Sequence, residues 1–254
     1  MPRHAKYPPL RVCLNNRLVG HLLKEPRGTI EFSYDQSWLD WENASPVSLS
    51  LPLREDDYRG EPVVAVFENL LPDSDSLRRR VAEKVGARGA DAYSLLEAIG
   101  HDCVGALQFM ADDVEPDTDS TKIDGEPVDE VAIEKILCNL AQAPLGLDRE
   151  DDFRISVAGA QEKTALLYHE GKWLRPHGTT PTTHLFKTQI GQLPHGIDLS
   201  NSVENEFYCL KLCEAFGLPV NACEIQTFGE TKALVIERFD RLKTKNGRLL
   251  RLPQ

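Results

Sequence analysis

Asn15-Asn16 stands between two short runs, Arg11-Val12-Cys13-Leu14 and Arg17-Leu18-Val19-Gly20-His21-Leu22. Asparagine tolerates the positive φ that a two-residue hairpin loop demands, so the runs are expected to fold back on each other as antiparallel strands. Glu170-Gly171 plays the same part between residues 163–168 and 172–175. A hairpin in each half, with helix-period segments between them, reads as an α+β chain.

The first half adds further elements. Residues 29–34 and 47–51 alternate with period two and read as half-buried strands. Asp73 or Ser74 can cap a helix that carries Leu77, Val81 and Val85 to Gly86, and a second helix runs from Asp91 to Ile99 before Gly100. Residues 104–110 close the unit as a strand. From 111 to 127 the chain turns acidic, with Pro116 and Gly125, which marks a boundary. The organisation is then an N-terminal β-rich subdomain with helices over 1–111, an acidic linker and connector helix over 112–150, and a second domain over 151–254. The connector helix, 128–141, places apolar residues at 133, 136, 137 and 140. The second domain reads as a strand at 154–157, the hairpin, a strand at 183–188, a helix at 203–216 stopped by Gly217, and strands at 224–228 and 233–239.

Composition narrows the function classes. A net charge of −11 disfavours unaided binding to nucleic acid, which rests on neutralising phosphates. No apolar run approaches the roughly 20 residues that span a bilayer, and no signal-peptide core follows the basic N-terminus. A cytoplasmic protein without membrane contact is expected. The six cysteines are scattered without a C-x-x-C pair, which predicts buried free thiols and no metal site.

Three segments carry candidate chemistry. In Ser156-Val157-Ala158-Gly159-Ala160-Gln161-Glu162-Lys163, three consecutive small residues would let backbone N–H groups approach an anion. The spacing matches neither a Walker A motif nor the three-glycine kinase loop, so a plain tight turn is the competing reading. Lys187 shares a strand face with Leu185, a costly place unless its charge is paired or aimed at an anion; a side chain that snorkels to solvent is the alternative. Ala233 to Arg241 runs from an apolar strand into a charged, aromatic end, which suits a hinge or a simple salt-bridged turn. Arg78-Arg79-Arg80 reads as a solvated helix face, and Trp38 with Trp41 as packing anchors.

Taken together, 156–163, Thr180-Pro181-Thr182-Thr183-His184-Leu185-Phe186-Lys187, Glu204-Asn205-Glu206-Phe207-Tyr208-Cys209, 233–241 and Phe67-Glu68-Asn69-Leu70-Leu71-Pro72-Asp73 resemble the motifs of the HipA toxin kinases. The resemblance covers essentially the whole chain. It implies a HipA N-terminal subdomain followed by a protein-kinase-like N-lobe, with the chain stopping before the helical C-lobe. Val157, Ala158, Gly159, Ala160, Gln161, Glu162 and Lys163 would cover the phosphates of ATP. Lys187 would pair with those phosphates, supported by Glu204 or Glu206, between which the sequence does not choose. Glu237 and Phe239 would offer backbone groups to adenine, and Ser156 would be an autophosphorylated serine. The implied activity is ATP- and Mg²⁺-dependent phosphorylation of serine or threonine, with glutamyl-tRNA synthetase as the family's target and growth arrest with persistence as the outcome. The implied partner is a HipB-type helix-turn-helix antitoxin, through which DNA is contacted. Neither an H-x-D nor a D-F-G-like element occurs in the 254 residues. No catalytic residue or magnesium ligand is therefore assigned, and the chain alone is expected to be inactive. A non-catalytic antitoxin-binding module and one half of a split kinase are the alternatives.

Overall fold

A computed structural model describes residues 7–112, 122–140, 143–147, 155–159, 161–193 and 196–253. Arg154, Ala160, Gln254 and most of the acidic stretch lie outside them.

The first sheet comprises β1 (Leu10–Leu14), β2 (Arg17–Lys24), β3 (Ile30–Tyr34), β4 (Tyr58–Arg59) and β5 (Leu107–Ala111), ordered β4-β3-β2-β1-β5 and antiparallel throughout. Asn15 and Asn16 take φ of 49° and 67°, the left-handed values expected of the β1–β2 loop. The short helix α1 (Gln36–Leu39) seats Trp38. Helices α2 (Glu61–Glu68), α3 (Asp75–Val85) and α4 (Ala92–Ile99) complete the first unit. Ser74, not Asp73, caps α3, and Asp91 caps α4. Phe32, Phe67 and Phe109 meet edge to face, with centroids 5.5 Å apart at each step. Gly100 is required where α4 ends, because a Cβ there would fall 2.5 Å from the Leu96 carbonyl and 2.8 Å from Phe109.

The second sheet is ordered β12-β13-β9-β7-β8-β6. Its strands are β6 (Gly125–Pro127), β7 (Lys163–His169), β8 (Lys172–Pro176), β9 (His184–Thr188), β12 (Cys223–Phe228) and β13 (Thr231–Glu237). Two small ribbons, β10 (Gly191–Gln192) with β11 (Asp198–Leu199) and β14 (Arg241–Lys243) with β15 (Leu249–Arg251), flank it. Period two on β13 divides its side chains. Ala233 and Val235 pack with Ile133 and Leu137 of α5 (Glu130–Cys138), whereas Leu234 and Ile236 pack with Val203 of α6 (Ser202–Ala215). A helix therefore covers each face of that strand. Leu145, Leu147, Ile155, Val157 and Ala165 belong to the core of the first unit, so the two units share apolar packing.

Several expectations are corrected. Residues 47–51 form no strand: Ser48 and Leu51 close a turn, Leu49 is exposed and Leu51 is the buried anchor. Apolar alternation there has no neighbouring strand to pair with. Strand β5 begins at Leu107, after a turn through Gly105. Ile155 makes only a single parallel bridge, to Asp102. Residues 125–127 of the expected linker are an edge strand. Of the six free cysteines only Cys13 and Cys103 are buried, and Cys138 and Cys209 are exposed. Among the described residues no helix is long and apolar enough to cross a membrane, and no group of three His, Cys, Asp or Glu side chains gathers to hold a metal.

Candidate functional site

Register between β7 and β9 sets the geometry. Lys163 opposes Lys187 and Ala165 opposes Leu185, so all four side chains stand on one face. Ala165 and Leu185 pack against the core of the first unit. The two amines stand one step further along, where that face meets α6. Lys187 Nζ lies 2.6 Å from Glu206 Oε1. Glu204 instead binds Lys232 and accepts a bond from Gln189 Nε2 at 2.6 Å. Both glutamates flank Val203, the residue of α6 that packs on the sheet, from opposite sides, so Glu206 reaches Lys187 while Glu204 reaches Lys232 and Gln189. Leu185 is only partly buried; the fully buried residue of β9 is Phe186, on the opposite face.

Lys163 is 5% exposed and spends its donor on the Ala158 carbonyl, 2.6 Å away, rather than on a carboxylate. Burial, helped by the charge of Lys187, pushes its amine down to about 8. Gly159 makes this closure possible at φ 104°: a Cβ there would sit 2.6 Å from Lys163 Nζ. Gln161 Nε2 donates to the Thr188 carbonyl at 3.0 Å, which ties the loop to the end of β9. Glu162 pairs with Arg80 at 2.9 Å. Two amines, one paired with a carboxylate and one bonded to a backbone oxygen, leave positive charge beside a glycine turn. That balance suits a polyanion.

Ser156 is fully buried. Its Oγ donates to the Leu70 carbonyl at 2.5 Å, and its N–H donates to the Asp102 carbonyl at 3.0 Å. The motif around Leu70 thus closes over the start of the loop. The arginine triplet is not simply a solvated face. Arg78 Nε donates to the Pro72 carbonyl at 2.6 Å and Arg80 reaches Glu162, while Arg79 alone is exposed.

At the candidate hinge the side chains of Glu237 and Phe239 are exposed, and Arg238 between them turns inward to 4% exposure. The Glu237 N–H is committed to the Ala222 carbonyl and the Arg238 N–H to the Thr183 carbonyl, both at 2.8 Å. The salt-bridged turn expected here is present in Arg238 and Asp240, but it belongs to a buried ionic junction whose anchor, Asp102 of the first unit, the sequence did not reveal. Arg238 Nε and Nη2 grip both oxygens of Asp240, at 2.9 and 2.8 Å. Asp102 Oδ1 accepts from Arg241 Nη2 at 2.8 Å and from Arg251 Nε at 3.0 Å. Its Oδ2 accepts from Thr182 N at 3.0 Å and Thr182 Oγ1 at 2.7 Å, with Arg238 Nη1 at 3.4 Å. Burial alone would push the Asp102 carboxyl up, but Arg241, Arg251 and Arg238, with Thr182, hold it well below the usual carboxylate range. The available signal was the run Arg238-Phe239-Asp240-Arg241, too charged for a strand end with only solvent to meet.

Comparison with known proteins accounts for both units. Residues 10–110 match the model of the HipA N-terminal domain and residues 155–254 that of the HipA-like C-terminal domain. Protein Y4mE of Sinorhizobium fredii, whose name assigns it provisionally to the kinases, is 34% identical over 247 residues, covering 96% of this chain and 57% of its own. The serine/threonine-protein kinase toxin HipA of Shewanella oneidensis is 28% identical over 239 residues, covering 93% of this chain and 51% of its own. A solved complex of the Shewanella oneidensis MR-1 toxin–antitoxin system, HipA with HipB and operator DNA, contains a chain that aligns with a TM-score of 0.69 at 27% identity, over 95% of this chain and 53% of that one. The chain spans about half the length of these relatives. Both units, in the same order and with the same fold, place this chain in the HipA family.

Proposed function

We propose that this chain supplies the nucleotide-binding part of a HipA-type toxin kinase, which moves the γ-phosphoryl group of ATP to a serine or threonine hydroxyl of a protein. The observation that carries this reading is the Lys187–Glu206 ion pair, which joins β9 to α6 beside the glycine turn at 156–163. A strand lysine held by a helix glutamate is the arrangement that presents an amine to nucleotide phosphates in kinases. In this reading the second unit is a kinase-like N-lobe, and Lys163 joins Lys187 against the phosphates once its bond to the Ala158 carbonyl is released. With the Glu237 N–H already spent on Ala222, the contact to the adenine amino group falls to the Glu237 carbonyl, and Phe239 contributes its N–H. Magnesium would travel with the nucleotide. No residue here is assigned to it, and no step is routed through the ion.

A phosphate on Ser156 would add about −1.5 to −2 charges at a position now sealed by Leu70 and Asp102. It would have to leave that pocket and take the loop with it, which would switch nucleotide binding off. The family resemblance names glutamyl-tRNA synthetase as substrate and a HipB-type antitoxin as the partner that brings the complex to DNA. The net charge of −11 fits that division of labour.

Titration of the chain with a fluorescent ATP analogue tests the reading. Saturable binding is expected, and Lys187→Ala should weaken it roughly tenfold or more, the scale of one lost charge-assisted bond. A wild-type chain that does not bind the analogue, or a Lys187→Ala variant that binds unchanged, would refute it.

A further inference from the structure

We infer that Asp102, a residue of the first unit, is a positioning residue for the nucleotide site of the second; the inference rests on the nucleotide reading given above. One residue touches all three segments from which that site is built. Its backbone carbonyl accepts from Ser156 N–H, where the phosphate loop starts. Its carboxylate accepts from the N–H and hydroxyl of Thr182, two residues before β9, the strand that carries Lys187. The same carboxylate takes Arg238, which sits between the two hinge residues, together with Arg241 and Arg251 beyond them. Arg238 Nη1 also donates to Thr182 Oγ1 at 2.9 Å, which closes the ring between the strand and the hinge.

Position and charge both point the same way. Asp102 is 2% exposed and lies two residues after Gly100, which ends α4, on the aromatic-packed unit. Arg238 and Arg241 each donate a further bond, at 2.8 and 2.9 Å, to the carbonyl of its neighbour Cys103. Gly105 N–H returns a bond to Asp240 Oδ2 at 2.7 Å. The short loop 102–105 therefore acts as a socket for the hinge. Three guanidiniums share two carboxylates here, so removing the charge of Asp102 leaves three cations against Asp240 alone, buried together. The hinge would move before the first sheet did, and with it the backbone groups offered to adenine.

Amide hydrogen exchange on the 254-residue chain tests the positioning without any ligand. In Asp102→Asn, the amides of Ser156, Thr182 and Arg238 should all exchange faster, while those of Val12 and Leu22 in the first sheet stay protected. Faster exchange at Thr182 alone, or equal loosening of the first sheet, would overturn the inference. Should that variant fail to fold, Thr182→Val keeps the charges and removes only the hydroxyl that joins Asp102 to Arg238. The same linked pattern is expected, and its absence would count against the inference.

The fluorescent ATP analogue then separates the two readings. Asp102→Asn should bind roughly tenfold or more weakly. Asn15→Ala serves as the control: it cuts another polar tether between the units, the two bonds to the Arg251 backbone at 2.8 and 2.9 Å, without removing the carboxylate or any of its partners. It should lower the melting temperature and leave nucleotide affinity within about twofold. Normal binding by Asp102→Asn, or an equal loss in Asn15→Ala, overturns the positioning role while the nucleotide reading stands. Linked exchange in a wild-type chain that binds no ATP would do the reverse.

Discussion

The two sheets are both antiparallel, yet they close their cores by different means. The first gathers Leu10, Val12, Phe32, Phe67, Tyr93 and Phe109 into one continuous apolar cluster. The second has two small clusters, one on each face of β13. Its helix α6 buries only Val203 and leaves Tyr208 66% and Leu212 43% exposed. What the second sheet lacks in apolar burial it takes from the first, through Val157 and Ala165 in the shared core and through the ionic junction at Asp102. The aromatic core admits polar groups only where they are hydrogen-bonded, as the Tyr34 hydroxyl is to the Leu51 carbonyl, whereas the second sheet carries two lysines side by side, as the proposed phosphate site would need. The division places the rigid unit beside the charged one instead of asking one core to do both.

Phe109→Ala is the largest blow to that comparison. Removing a fully buried ring costs about 3–5 kcal/mol, and because the core is shared, both sheets should lose stability together. The three tryptophans make this measurable: Trp38 and Trp41 report on the first unit and Trp173, on β8, on the second. In Trp173→Phe and in a Trp38→Phe, Trp41→Phe double variant, the urea transition seen by the remaining tryptophan fluorescence should coincide with the one seen by circular dichroism of the same variant, and Phe109→Ala should shift both. Leu212→Ala, on the open face of α6, should change stability by no more than about 0.5 kcal/mol. Two separate transitions would break the picture of a borrowed core.

How far the sequence reached depended on distance along the chain. Hairpin loops at Asn15-Asn16 and Glu170-Gly171 were legible because each is settled within four residues, and the same local signals narrowed the cap of α3 to Asp73 or Ser74 and the start of α4 to Asp91. The glycine turn and Lys187 were visible as anomalies of local chemistry. The choice of Glu206 was not, since it needs the orientation of α6 against β9. Residues 47–51 misled because alternation is necessary for a half-buried strand but supplies no partner. Asp102 was beyond reach: its arginines lie 136, 139 and 149 residues away, and only the assembled fold reveals that one carboxylate serves all three.

Acid should test the junction more gently. The Asp102 and Asp240 carboxyls are both held below their usual range by the arginines around them, against the opposing pull of burial. For an acid whose folded pKa is depressed, the stabilisation is present above the unfolded value, about 3.9, and is lost as pH falls below it toward the folded value. Stability measured from pH 5 down to pH 2 should fall, and the slope should be shallower in Asp102→Asn. Equal slopes would mean that the junction carries no pH-linked stability.

Lys163 gives the smallest and most local prediction. Its amine titrates near 8 because burial, and then Lys187, disfavour its charge. Between about 8 and the usual lysine value near 10.4, the unfolded chain holds a proton that the folded chain has released. Stability should therefore rise with pH across that window, since unfolding takes up the proton. Nucleotide binding should respond in the opposite sense. A polyphosphate beside Lys163 favours the charged amine, so affinity should fall several-fold as pH rises from about 7 to 9. In Lys163→Met both slopes should flatten, with nucleotide binding weaker at pH 7 and level across the range. An unchanged affinity slope in that variant would remove Lys163 from the anion site and leave Lys187 to hold the phosphates with the loop backbone.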